Sequence, residues 1–261
     1  MELSSAEIAA WVGTFFWPFL RIGAMLMAMP VFSGRLMPAR VRVIVALILT
    51  WSVALNLPQA PAVEPFSGPG MMITLQQLGI GLLMGFLLQL VFAAVSFGGQ
   101  VIAYSMGLGF ASMVDPANGV QVPVVSQYFV IIVTLSFLML DGHLVLFYLV
   151  ADSFRAMPVA VDGLTRNDLW SIVAWGSQVF AGGLLMALPA VVALLVVNLT
   201  FGVVTRAAPQ LNIFAVGFPV TMLLGFWILW ATLPNVEEHF SSLLNDAFQM
   251  MIDNLGLRPP P

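Results

Sequence analysis

No cysteine occurs among the 261 residues. Its absence excludes disulfides, thiolate metal sites, iron–sulfur clusters and cysteine nucleophiles together. Lysine is absent as well. The eight cations are all arginine: Arg21, Arg35, Arg40, Arg42, Arg155, Arg166, Arg206 and Arg258. Twelve acids bring the net charge to −4. That balance argues against nucleic-acid binding, which needs clustered cations to displace counter-ions from phosphates. Only two histidines remain, His143 and His239, far apart in the chain. With no paired carboxylates on a helical face, little is left from which to build a catalytic centre, and neither a metal nor a cofactor is expected.

Charge of either sign is scarce, at 8% of residues against about 25% in ordinary soluble domains. Hydrophobic residues make up 61%, against about 45–50%. Twenty charged side chains cannot cover a soluble domain of this size, so the composition indicates an integral membrane protein. The N-terminus, MELSSAEIAAW, lacks a positive n-region, and the apolar run that follows is too long for a signal-peptide core. It is read as mature protein.

Six apolar regions stand out: 8–32, 41–57, 71–97, 124–151, 169–205 and 213–233. A helix needs about 20 apolar residues to span the hydrocarbon, and only helices satisfy every backbone group within one segment. The expectation is an all-α membrane protein with about six long hydrophobic helices or helical hairpins, kinked and broken by Gly and Pro. The fifth region is too long for one simple span. Pro189 could kink it, or Gly182-Gly183 could split it into a hairpin. With six spans and the N-terminus inside, Arg155, Arg166 and Arg258 face the cytoplasm and Arg35, Arg40, Arg42 and Arg206 face away. Three against four does not decide orientation under the positive-inside rule.

Arg21 lies inside an apolar run, WPFLRIGAMLMAMP. A charge at a span centre costs roughly 2.5–3.5 kcal/mol on insertion scales. It is read as a buried or partner-contacting charge, or a pore-lining one, with snorkelling to the interface as the bland alternative. Arg35, Arg40 and Arg42 flank Pro38, as a headgroup-binding loop or a contact with an acidic subunit. Gly81 and Gly85 form a GxxxG pair with Gly79 nearby, and Ala24 and Ala28 repeat the spacing; such small faces let helix backbones approach. Trp11, Trp17, Trp51, Trp170, Trp227 and Trp230 lie towards the ends of apolar runs, as interface anchors or subunit contacts would.

The stretch from Gly98 to Gln127, GGQVIAYSMGLGFASMVDPANGVQVPVVSQ, is too polar and Gly-broken to span, and too apolar for an ordinary solvated loop. Gly107 and Gly109 permit backbone excursions, residues 115–119 read as consecutive turns, and Met106, Phe110 and Met113 supply contacts that can repack. Such a segment sits at membrane depth only where protein buries it or it lines a cavity. A pore plug fits that description, as does a structured hairpin outside the membrane. Asp141-Gly142-His143 interrupts the fourth region, as a turn at a helix end or as a proton relay. Asn198-Leu199-Thr200 matches a glycosylation sequon but ends a hydrophobic region and is discounted. From Asn235 to Leu257 a helical pattern puts Val236, Phe240, Leu243, Leu244, Ala247, Phe248, Met251 and Leu255 on one face, with Asn235 as a candidate cap. Its acidic polar face suits packing on protein better than on anionic lipid.

The run from Gly107 to Pro116, GLGFASMVDP, resembles the signature of the FliR/SctT family of type III secretion export-gate proteins. RIGAMLMAMPVF followed by PARVRV is similar to that family's first helix and loop, and Asp141-Gly142-His143-Leu144 to its mid-chain break. The similarity covers the whole chain as one membrane domain, 1–261, and is nearer the flagellar than the injectisome branch. The resemblance implies a non-enzymatic subunit of a helical hetero-oligomeric gate in the bacterial inner membrane, at the flagellar basal body. It implies assembly with FliP and FliQ, contact with FlhB and FlhA, and passage of unfolded flagellar subunits. It also implies a plug loop over 106–122, carried by Met106, Gly107, Gly109, Phe110, Met113, Asp115, Pro116 and Gly119. The alternative reading is a polytopic small-solute permease, for which Gly- and Pro-broken helices can build a midplane site.

Overall fold

The computed structural model describes residues 5–33, 37–57, 61–109, 124–208 and 217–260. Among the described residues there are nine helices and no strand. They are α1 (Ser5–Ala28), α2 (Pro30–Ser33), α3 (Ala39–Ala54), α4 (Gly68–Ser105), α5 (Val124–Met139), α6 (Gly142–Ala156), α7 (Arg166–Trp175), α8 (Gln178–Ala207) and α9 (Phe218–Leu255). The chain is an all-α membrane protein, as its composition indicates.

The apolar regions do not map one-to-one onto spans. Among the described residues three helical stretches are long and apolar enough to cross a membrane: Gly68–Ser105, Arg166–Ala207 and Phe218–Leu255. The α5–α6 pair, bent by 64°, would make a fourth. Among the described residues the expected six is therefore corrected to three or four. Helix α3 has 16 residues, a rise of about 24 Å, short of a hydrocarbon core about 30 Å thick.

Three further readings are refined, because helices run past Gly and Pro residues that break an isolated one. The fifth region is not folded back at Gly182-Gly183: both lie inside α8, buried, with Pro189 also inside the helix. Helix α4 continues through Gly98 and Gly99 to Ser105, so the glycine-rich stretch begins as helix. The C-terminal amphipathic segment does not start at a cap on Asn235. It continues α9, a single helix of 38 residues with Pro234 inside it. Tertiary packing outweighs the helix cost of Gly and Pro at these positions.

The chain divides into two compact units. The first comprises residues 1–90, 137–176 and 245–261. Trp17, Ile22, Met25 and Leu26 of α1, Met29 just after it, Ile73, Ile80 and Met84 of α4, and Leu146, Leu149 and Phe154 of α6 are buried in it. Trp17 is fully buried rather than interfacial, packed with Ile73 and donating from Nε1 to Thr74 Oγ1 at 3.3 Å. Helix α3 buries only Ala46, Thr50 and Ala54, and turns Ile44, Leu47, Ile48 and Trp51 outward. Ser67 caps α4 by accepting from Gly70 N at 3.2 Å. Thr165 and Asp168 form a reciprocal capping box at the start of α7.

The second unit comprises residues 91–136 and 177–244. Backbones approach closely where α4 meets α8, since a Cβ on Gly183 would lie 2.5 Å from Ala94 O. Gly99 lies against Ser126 of α5, whose Oγ donates to Ser96 O at 2.9 Å. Phe92 meets Phe240, and Phe97 meets Phe180, edge-on at 5.6 and 5.4 Å between centroids. Asn235 donates from Nδ2 to Met186 O at 3.2 Å, next to the carbonyl that Pro189 deprives of its helical donor.

Candidate functional site

Arg21 is fully buried in the first unit. Its Nε donates to Gln77 Oε1 of α4 at 2.8 Å, its Nη1 to Ser153 Oγ of α6 at 3.0 Å, and its Nη2 to Met157 O at 2.8 Å. The guanidinium carbon lies 4.1 Å from the centroid of the Phe154 ring. None of these acceptors is charged, so three charge-assisted hydrogen bonds and a cation–π contact hold the cation in place. A lysine, with a compact ammonium, cannot reproduce that planar fork. The neighbouring Gln76 accepts from Leu164 N at 3.0 Å. Gln76 and Gln77 thus fasten to α4 both the connector that follows α6 and the cation of α1.

Gly81 and Gly85 lie on the same α1–α4 seam. Gly81 is seated against the carbonyl of Arg21 itself, with Ala24 Cβ beside it. A Cβ on Gly85 would lie 2.6 Å from both Ala28 Cβ and Met25 O. The glycine pair of α4 faces the alanine pair of α1.

At the far end of α4 the glycine-rich segment leaves the helix through a Schellman turn. Leu108 N donates to Ala103 O at 3.1 Å, and Gly107 N to Tyr104 O at 3.0 Å. Gly107 has φ 82°, which a side chain would strain. Met106 is fully buried, and Gly109 lies against the Tyr104 ring. Phe110, Met113, Asp115, Pro116 and Gly119 lie outside the described residues, as does Arg35.

The Asp141-Gly142-His143 break is a turn between α5 and α6. Asp141 has φ 55°, in the left-handed region that Asp tolerates better than most residues. Gly142 lies against the Phe137 ring. His143 meets Phe147 edge-on at 6.2 Å, and its Nδ1 has no hydrogen-bond partner among the described residues. At the other end of α6, Asp152 holds Arg155 by two hydrogen bonds, of 2.8 and 3.0 Å, and accepts from Arg258 N at 2.7 Å. The residues that follow α9 are thereby tied to α6. Sequence reading missed Gln77, Ser153, Phe154 and Met157, because an uncharged acceptor carries no signal until the fold brings it to an arginine. No group of three or more His, Asp or Glu able to hold a metal ion occurs among the described residues.

Comparison with known proteins extends these observations. The flagellar biosynthetic protein FliR of Escherichia coli (strain K12) is 35% identical over 259 residues, covering 99% of each chain. The protein of that name from Pectobacterium carotovorum subsp. carotovorum is 36% identical over 255 residues, 98% of this chain and 97% of its own. That of Bacillus subtilis (strain 168) is 28% identical over 214 residues, 81% and 82% of the two chains. The profile of the bacterial export proteins, family 1, matches residues 12–247, which take in the Arg21 seam, the α4 turn and the α5–α6 break. The chain belongs to that family of bacterial export proteins.

Proposed function

We propose that the chain is a non-enzymatic subunit of a bacterial flagellar type III protein export gate, lodged in the inner membrane at the flagellar basal body. The observation that carries this reading is end-to-end similarity to flagellar biosynthetic proteins, at 35% identity over 99% of both chains. In this reading FliP and FliQ form the pore with it, FlhB and FlhA are neighbours, and unfolded flagellar subunits pass through. The segment 106–122 plugs the closed pore, with Gly107, Gly109 and Gly119 for its turns and Met106, Phe110 and Met113 for its contacts. Arg21, Gly81 and Gly85 hold the scaffold from which that segment is hung.

Exposed apolar surface fits a chain that meets lipid or other subunits rather than water. Trp51, Leu199, Val203, Trp227 and Trp230 are each more than half exposed in the isolated chain, more apolar surface than a monomer leaves to water. Lipid or neighbouring subunits can cover it.

The test is the native mass of the tagged, detergent-extracted protein from its own cells, with co-purifying chains identified. A large stable complex containing FliP- and FliQ-like chains is expected. A lone monomer that transports small solutes in liposomes would overturn the reading in favour of a permease. Deleting residues 110–114 tests the plug: an assembled gate with this deletion should leak small solutes, and unchanged permeability would remove the plug role.

A further inference from the structure

A glycine on α9 is placed to govern the glycine-rich segment from outside it. Gly225 lies on the buried face of α9, with Thr221 and Ile228 one turn either side. Leu223 and Trp227 point outward, 70% and 65% exposed. A Cβ on Gly225 would lie 2.6 Å from Met106 Cε, 2.9 Å from Cγ and 3.2 Å from Sδ. The Met106 side chain is therefore laid across the bare Cα of Gly225. A flexible Cε could move aside, but Cγ can clear the socket only by a change of χ1 or a shift of the backbone, so filling the socket unseats Met106 from its place.

That displacement matters because of where Met106 stands. It is the last residue before the Schellman turn, with its own N–H bonded to Ile102 O at 2.9 Å and Gly107 next in the left-handed conformation. Asn198 of α8 also reaches this turn, donating from Nδ2 to Ser105 O at 3.4 Å. Gly225 itself has helical backbone geometry, where alanine would be favoured by about 0.5–1 kcal/mol. Its glycine is accounted for by packing and not by backbone conformation.

We propose that Gly225 is a positioning residue for the glycine-rich segment: the socket left by its missing side chain seats Met106 and fixes the point and direction at which the segment leaves α4. The role in gating rests on the plug reading above; the seat itself does not.

The experiment uses the full chain in its assembled membrane complex and exploits the cysteine-free sequence. A Met106→Cys/Gly225→Cys pair should form a disulfide under mild oxidation, since only residues this close can be bridged without backbone movement. Failure to cross-link would overturn the seat. A single Leu108→Cys then reports the turn through its rate of labelling by a maleimide. Gly225→Leu should raise that rate at least about fivefold, as overpacking at a fixed contact implies, and Met106→Ala added to Gly225→Leu should bring it back. Gly225→Ala serves as the milder variant should Gly225→Leu fail to assemble. Labelling unchanged in every assembled Gly225 variant would overturn the positioning role. Solute leak is read in parallel with the 110–114 deletion. If labelling responds but neither Gly225→Leu nor the deletion leaks, the plug reading falls and the positioning role stands. If the deletion leaks and Gly225→Leu does not, Gly225 positions the turn without controlling the gate.

Discussion

The Nε of Arg21 donates to Gln77 Oε1 across 2.8 Å, joining α1 to α4 through a bond in which the donor is charged and the acceptor is not. Gln77 is fully buried, and its Nε2 has no hydrogen-bond partner among the described residues. The amide is therefore spent on the arginine. Arg21→Met alone should destabilise the protein by about 1–3 kcal/mol, the usual cost of stranding a buried polar group. Adding Gln77→Leu should recover part of that loss, because the buried amide is then no longer stranded, while Ser153 and the Met157 carbonyl still lack the arginine. The check is the fraction of folded protein surviving a thermal ramp in mild detergent. A double variant no better than the single one would contradict this account.

Two glycines, one on α1 and one on α4, should respond in opposite directions. A Cβ on Gly23 of α1 meets nothing within 4 Å, whereas one on Gly85 of α4 meets Ala28 Cβ and Met25 O at 2.6 Å. Gly23→Ala should stabilise by about 0.5–1 kcal/mol through helix propensity alone. Gly85→Ala should destabilise by about 1–3 kcal/mol, because two backbones must separate. The same thermal assay ranks them.

The capping box of α7 gives a local prediction. Thr165 Oγ1 accepts from Asp168 N at 3.3 Å, while Asp168 Oδ2 accepts from Thr165 N at 2.8 Å. Thr165→Ala should cost about 1 kcal/mol. Hydrogen exchange should quicken at the amides of residues 166–169 and stay unchanged in α4.

Asp152 ties the residues after α9 to α6. Asp152→Ala removes the acceptor of Arg258 N and the partner of Arg155 together. Amide exchange at Arg258 should rise by about tenfold or more, as the loss of about 1.4 kcal/mol of local protection implies. Exchange at Leu257, whose N–H bonds to Ile252 O at 2.9 Å, should change less.

Helix content and apolar faces were legible in the sequence because they depend on local composition and period. The buried stripe from Val236 to Leu255 could be read from its 3.6-residue spacing, and each of its eight apolar residues is at most 8% exposed. Helix ends were less legible. Asn235 has the chemistry of a cap, but its side chain is bonded to Met186 O on another helix. Gly98 and Gly183 look like breaks and are instead places where backbones meet, and Gly182 makes room for the Leu243 side chain, distinctions that depend on residues far along the chain. Arg21 could be singled out from its apolar surroundings, whereas its partners, 56, 132 and 136 residues along the chain, carry no mark of their role. Trp17 shows the same limit: an aromatic towards the end of an apolar run suggests an interface, and only Thr74 and Ile73 make it core.

The separation of those partners also bears on how the protein is made. Arg21 leaves the ribosome 56 residues ahead of Gln77 and 132 ahead of Ser153. Through that interval α1 holds a guanidinium with none of its eventual acceptors, at a cost of roughly 2.5–3.5 kcal/mol wherever lipid surrounds it. A nascent chain stalled before α6 should therefore keep α1 near the aqueous face, open to a water-soluble label on a Gly23→Cys variant. Release of the stalled chain should close that window. On this account the first long helix to be synthesised is among the last to find its partners, since Ser153 and Met157 arrive only with α6.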